Sequence, residues 1–65
     1  MQKISFHDTE IDASLLEDIC GSFADCYMRC DNETQIVTFM IFDEDEVQNL
    51  LDELAKATDV ELHVS

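Results

Sequence analysis

The side chains with chemistry to offer are three cysteines, two histidines and sixteen carboxylates. Cys20, Cys26 and Cys30 are odd in number and include no CxxC pair, so their spacing indicates neither a disulfide framework nor a zinc knuckle, and reduced thiols are expected. Nucleophilic catalysis needs a Cys or Ser with an orienting histidine and an oxyanion site. No serine or cysteine here has a neighbouring base in sequence, and the surrounding acids raise a thiol pKa, which opposes the thiolate. His7 and His63 could be imagined as a metal pair with Glu61 or a cysteine. Antiparallel pairing of their strands, however, would set His7 near Val60 and His63 near Ile4, separating the imidazoles. The run Asp43-Glu44-Asp45-Glu46 continues into Val47, Gln48 and Asn49, which breaks the alternating acids and the sixth-position glycine of an EF-hand loop. The chain therefore reads as a binding protein rather than an enzyme, with no catalytic residue, metal or cofactor expected.

Negative charge is what the chain holds in excess: 16 Asp and Glu against 3 Lys and Arg, a formal net charge of -13 over 65 residues. A compact body with that charge repels itself, so the field is either tolerated for solubility or recognised by a positively charged partner. It would also repel nucleic acid, and the single glycine leaves no loop to cradle a phosphate, which argues against direct nucleic-acid binding. The 46% hydrophobic content is that of a folding chain, not of an acidic disordered tail. One domain over residues 1–65 is expected, with a core that nets no more than about 3–5 kcal/mol. No apolar run approaches the ~18 residues of a membrane span. The start, Met1-Gln2-Lys3-Ile4-Ser5, lacks the apolar core of a signal peptide, so the expected location is the bacterial cytoplasm.

The elements that must carry these side chains are legible as periodicities. Lys3 to His7 alternates about Ile4 and Phe6, the period of a half-buried strand. Asp12 is suited to cap a helix stapled by Ile11 and Leu16, with Leu15, Ile19 and Phe23 as its apolar row and Glu17, Asp18 and Asp25 off it. Gly21 marks either close packing against a strand or an early end to that helix. Residues 26–31 and 35–42 read as a hairpin turning at Asp31-Asn32-Glu33-Thr34. A two-residue turn at Asn32-Glu33 would pair Met28 with Val37 and Cys26 with Phe39 on one face, and Tyr27 with Thr38 and Arg29 with Ile36 on the other. A second helix follows, with Asp43 and Glu46 as a capping box, Phe42 and Val47 as a staple, and Val47, Leu50, Leu51 and Leu54 as its stripe. Val60, Leu62 and Val64 alternate with Glu61, His63 and Ser65 in a closing strand.

The order β-α-β-β-α-β predicts an α+β fold: a four-stranded antiparallel sheet in spatial order 4-1-3-2 with both helices on one face, the ferredoxin-like arrangement. Two surfaces follow from it. Glu17, Asp18, Asp25, Asp43, Glu44, Asp45, Glu46, Asp52 and Glu53 would form rows of carboxylates on the helical side, where Lys56 is the one basic residue. The other sheet face would carry Tyr27, Ile36, Met40 and Phe42, enough apolar surface to suggest a homodimer through the sheets. A flipped register would instead bury those four under the helices.

In size, charge and layout the chain resembles the short acidic DNA-mimicking proteins of phages and mobile elements, and among these the anti-CRISPR proteins that occupy the duplex- or PAM-binding site of a Cascade effector. The resemblance rests on composition and layout and carries no motif. It implies a basic nucleic-acid-binding partner, contacted through the nine acids named above, and no catalytic residue. Two other readings are a ferredoxin-like homodimeric interaction module whose acidity serves solubility, and an immunity protein or antitoxin that neutralises a basic nuclease.

Overall fold

The computed structural model describes residues 1–10 and 12–65. In chain order these form β1 (Gln2–His7), α1 (Ala13–Gly21), β2 (Cys26–Asp31), β3 (Ile36–Ile41), a 3₁₀ turn (Glu44–Glu46), α2 (Val47–Ala57) and β4 (His63–Val64). All neighbouring strands are antiparallel, in the order β2-β3-β1-β4, which from the opposite edge reads β4-β1-β3-β2. Alternation sends Ile4 and Phe6 of β1, and Val37, Phe39 and Ile41 of β3, to the same side of the sheet. There they are buried with Leu16 and Ile19 of α1 and Leu50 and Leu54 of α2 in one cluster. Both helices thus cover one face, and among the described residues no layer covers the other.

Helix α1 starts where Asp12 Oδ1 accepts the Leu15 amide (3.2 Å), which satisfies one of the free donors of the first turn. The staple expected between Ile11 and Leu16 lies outside the described residues. The apolar row differs from the expectation: Leu16 is buried, whereas Leu15 is 42% exposed. Leu15 stands about 100° around the helix from Leu16. Leu16, Ile19, Cys20 and Phe23, at i, i+3, i+4 and i+7, are the positions that meet the core. Gly21 ends the helix and does not mark close packing, since nothing lies within 4 Å of where a Cβ would stand.

The hairpin is two residues out of the expected register. Asp31 pairs with Ile36, so Met28 faces Phe39, Cys30 faces Val37, Cys26 faces Ile41, Tyr27 faces Met40 and Arg29 faces Thr38. The turn is longer because Asp31 Oδ1 accepts the amides of Glu33 (2.9 Å) and Thr34 (3.3 Å), and Gln35 takes a left-handed φ of 59° before β3 begins. A slip of two keeps every side chain on its intended face. The flipped register is therefore overturned.

Helix α2 also departs from expectation at its start. Asp43 Oδ1 accepts the Asp45 amide (3.0 Å), but the Glu46 carboxylate accepts from Asn49 Nδ2 (3.2 Å), so the Asp43–Glu46 capping box is not closed. The first turn is 3₁₀, and Phe42, placed in a staple with Val47, lies instead edge-on to Tyr27. Downstream the stripe holds: Leu50 and Leu54 are buried, and Val47 and Leu51 pack against them. The closing strand is shorter than expected, only His63–Val64, with Val64 opposite Ile4 and His63 opposite Ser5, one residue from the anticipated pairing. Val60 and Leu62 reach the core from outside the ladder.

The corrected row on α1 yields a direct comparison by urea unfolding. Leu16→Ala should cost about 2–5 kcal/mol, enough to unfold most of so small a domain. Leu15→Ala should cost under about 1 kcal/mol. Equal costs would contradict the observed face.

Candidate binding surface

The acids singled out from the sequence are all exposed except Glu46, which is half-buried. Glu17 and Asp18 sit on α1, Asp52 and Glu53 on α2, and Asp43, Glu44, Asp45 and Glu46 at the entrance to α2. Asp25 is a correction. It lies beyond the end of α1 in the turn before β2, at a left-handed φ of 54°, and its carbonyl accepts the Phe42 amide (3.3 Å). That bond fixes its backbone beside the Phe42–Asp43 segment, so Asp25 belongs with the acids at the start of α2 rather than with Glu17 and Asp18.

The cations are divided between the two sides of the molecule. The sheet register places Lys3, Ser5 and His7 of β1 on the open face, with Tyr27, Arg29 and Asp31 of β2, Ile36, Thr38 and Met40 of β3, and His63 of β4. Two of the three basic residues, Lys3 and Arg29, are therefore on the sheet side. Lys56, in the last turn of α2, is the one basic residue within either helix among the described residues, at the end where a cation suits the helix dipole. Glu44, Asp45 and Glu46 occupy the opposite, anion-favouring end. Along α2 the acids are partnered by amides: Gln48 Nε2 donates to Asp52 Oδ1 (3.0 Å), and Asn49 Nδ2 to Glu46 Oε2. These bonds orient the carboxylates without neutralising them.

The open face carries the second set of named residues. Tyr27 and Phe42 are more than half exposed and meet edge to face with ring centres 5.7 Å apart, and Tyr27 is the cross-strand partner of half-buried Met40. Ile36 is 41% exposed but lies four residues along β3 from Met40, with Thr38 between them on the same face. Tyr27, Met40 and Phe42 thus make one small cluster, and Ile36 stands apart from it.

His7 and His63 share the open face on adjacent strands, His63 opposite Ser5 and His7 two residues further along β1. Among the described residues no group of three or more His, Cys, Asp or Glu is placed to hold a metal ion. No helix among them is long and apolar enough to cross a membrane.

One cluster is absent from the sequence reading. Cys20, near the end of α1, and Cys26, the first residue of β2, bring their sulfurs to 3.4 Å, and the Cys20 thiol donates to the Cys26 carbonyl (3.2 Å). They line a shallow cavity of about 400 Å³ between α1 and β2, with Glu17, Phe23 and Met28. Burial, then the hydrogen bond and charge of Cys20, push the Cys26 thiol up to about 12. Burial, then the charge of Glu17, raises Cys30 as well. The available signal was parity: Cys20 falls on the apolar stripe of α1 and Cys26 on the inward alternation of β2, six residues apart across one turn.

The molecule measures 30 × 22 × 18 Å, comparable with the ~30 Å Debye length at about 0.01 M salt. At low ionic strength nearly all the carboxylates therefore repel one another. Raising NaCl to about 0.5 M should raise the Tm, followed by circular dichroism, by about 4–8 °C for each ~1 kcal/mol of repulsion screened. A Tm indifferent to salt would contradict self-repulsion as a cost to this fold.

Comparison with known proteins returns no matching family model, no matching curated protein and no matching solved structure.

Proposed function

We propose that this is a small acidic protein that inhibits a nucleic-acid-binding partner by presenting carboxylates where the partner accepts phosphates. The observation that carries the reading is the pairing on the helical side. Solvated helix faces usually interleave Lys and Arg with their acids at i,i+4, and here Asp52 and Glu46 are met by Gln48 and Asn49. Side chains three or four apart on a helix stand ~5–6 Å from each other. B-DNA presents one charge per ~1.7 Å of axis, so the surface would reproduce part of a duplex charge pattern. The longest dimension of 30 Å is slightly less than the ~34 Å turn of B-DNA, which favours a target that reads a short stretch. The duplex- or PAM-reading site of a Cascade-type CRISPR effector, in the cytoplasm of a bacterial host, is the target class this reading takes. A basic nuclease neutralised by an immunity protein or antitoxin is chemically close to it. The antiparallel order β4-β1-β3-β2, with both helices contributing to the core on one sheet face, supports a ferredoxin-like assignment for the scaffold.

A second reading has its own observation, the exposed Tyr27–Phe42 contact beside Met40. In it the protein is a homodimeric interaction module that works through the open sheet face, and the acidity serves solubility.

Charge reversal separates the two. The wild-type protein should displace a fluorescent duplex from a purified Cascade effector, read by anisotropy, and more weakly as salt rises. Replacing Asp45, Asp52 and Glu53 together by Lys should weaken displacement at least about tenfold, the equivalent of about 1.4 kcal/mol. Phe42→Asp should leave it within about twofold. If the triple Lys variant displaces the duplex as well as wild type while Phe42→Asp abolishes the effect, mimicry is wrong and the sheet-face reading stands.

A further inference from the structure

We propose that Cys20 and Cys26 form a thiol–disulfide exchange site, a vicinal pair that is oxidised to an intramolecular disulfide by a low-molecular-weight disulfide. The inference is independent of what the acidic surface binds. It stands first on distance: the sulfurs are 3.4 Å apart, against the ~2.05 Å of a disulfide bond. It stands also on the segment between them, which is held at several points. The Ser22 hydroxyl donates to the Ile19 carbonyl (2.7 Å), as does its amide (3.2 Å), and the Phe23 amide donates to the Cys20 carbonyl (3.2 Å). Asp25 is fixed at φ 54° with its carbonyl bonded to the Phe42 amide. The turn therefore delivers both thiols to one place. The cavity they line opens to solvent between α1 and β2, which gives a small disulfide access.

The exchange proceeds in two displacements. One thiol loses its proton to water, and its thiolate attacks a sulfur of the small disulfide, expelling one small thiolate, which takes up a proton. The second protein thiol, deprotonated in turn, attacks the protein sulfur of this mixed disulfide and expels the other small thiol. Two electrons leave the protein pair and reduce one disulfide to two thiols. The raised Cys26 thiol supports slow formation, because little thiolate is present near neutrality, and a bond that resists reduction, because a poorly stabilised thiolate is a poor leaving group. Cys30, on β2 opposite Val37, is the internal control.

The test incubates the full chain with glutathione disulfide, alkylates the remaining thiols and digests with trypsin, which cuts after Arg29 and so separates Cys30 from the pair. The expected product is a peptide 4–29 lighter by two hydrogens and unalkylated, with a fully alkylated peptide 30–56 and a raised Tm for the oxidised protein. Cys30→Ser should behave identically, and Cys20→Ser should stop at a mixed disulfide on Cys26. Three alkylated cysteines at equilibrium, a wild-type protein that stops at the mixed disulfide, or a cross-link between peptides 4–29 and 30–56 would each overturn the proposal.

Discussion

A chain of 65 residues can close only one layer of core, and here that layer is the contact between a single face of the sheet and the two helices. Ile4, Phe6, Val37, Phe39 and Ile41 supply the sheet side, with Leu16, Ile19, Leu50 and Leu54 opposite. The rings of Phe6 and Phe39 stack at 6.3 Å within it. Because this contact is the main source of stability, nothing else on the molecule is free to choose its side. Helix positions that do not face the sheet must face water, and strand positions that do not face the helices are left on the open face.

The electrostatics follow from that partition. The named helical acids take the outward positions of α1 and α2, whereas Lys3, Arg29, His7 and His63 alternate with core residues and emerge on the other side of the sheet. The helical side therefore carries many acids with Lys56 as the one cation in either helix among the described residues, and their mutual repulsion costs stability. Local chemistry accounts for part of the acidity. Asp12 and Asp43 satisfy free amides, and Asp31 accepts those of Glu33 and Thr34, whose hydrogen bonds hold its carboxyl below the usual range. Asp52 and Glu53 have no such duty at a helix end, and in the proposed function they are contact residues.

Much of this was legible in the sequence because it rests on periodicity. The alternation about Ile4 and Phe6 and the stripe Val47, Leu50, Leu51 and Leu54 predict the elements found. The departures occur where a side chain chooses between partners of similar worth. Asp31 bonds two amides and lengthens the hairpin turn, and Glu46 takes Asn49 instead of closing a box with Asp43. Phe42 takes Tyr27. On α1 the competing rows through Leu15 and Leu16 differ by one position, and the difference decides which leucine is buried. The acids keep their exposure through all of these changes, apart from half-buried Glu46 and the displacement of Asp25 out of α1. The Cys20–Cys26 approach depends on the tight turn at the end of α1, a tertiary feature that no spacing rule for cysteines encodes.

The central claim, that the helical carboxylates are a recognition surface, is tested most directly by carboxyl footprinting of the protein mixed with a purified, nucleic-acid-free Cascade effector, the proposed target. The account predicts that Asp45, Asp52 and Glu53 lose most of their labelling in the complex, while Asp31 and Glu33 on the hairpin turn label as in the free protein. Helical acids that label at their free rate, together with slowed amide exchange around Tyr27 and Phe42, would contradict it.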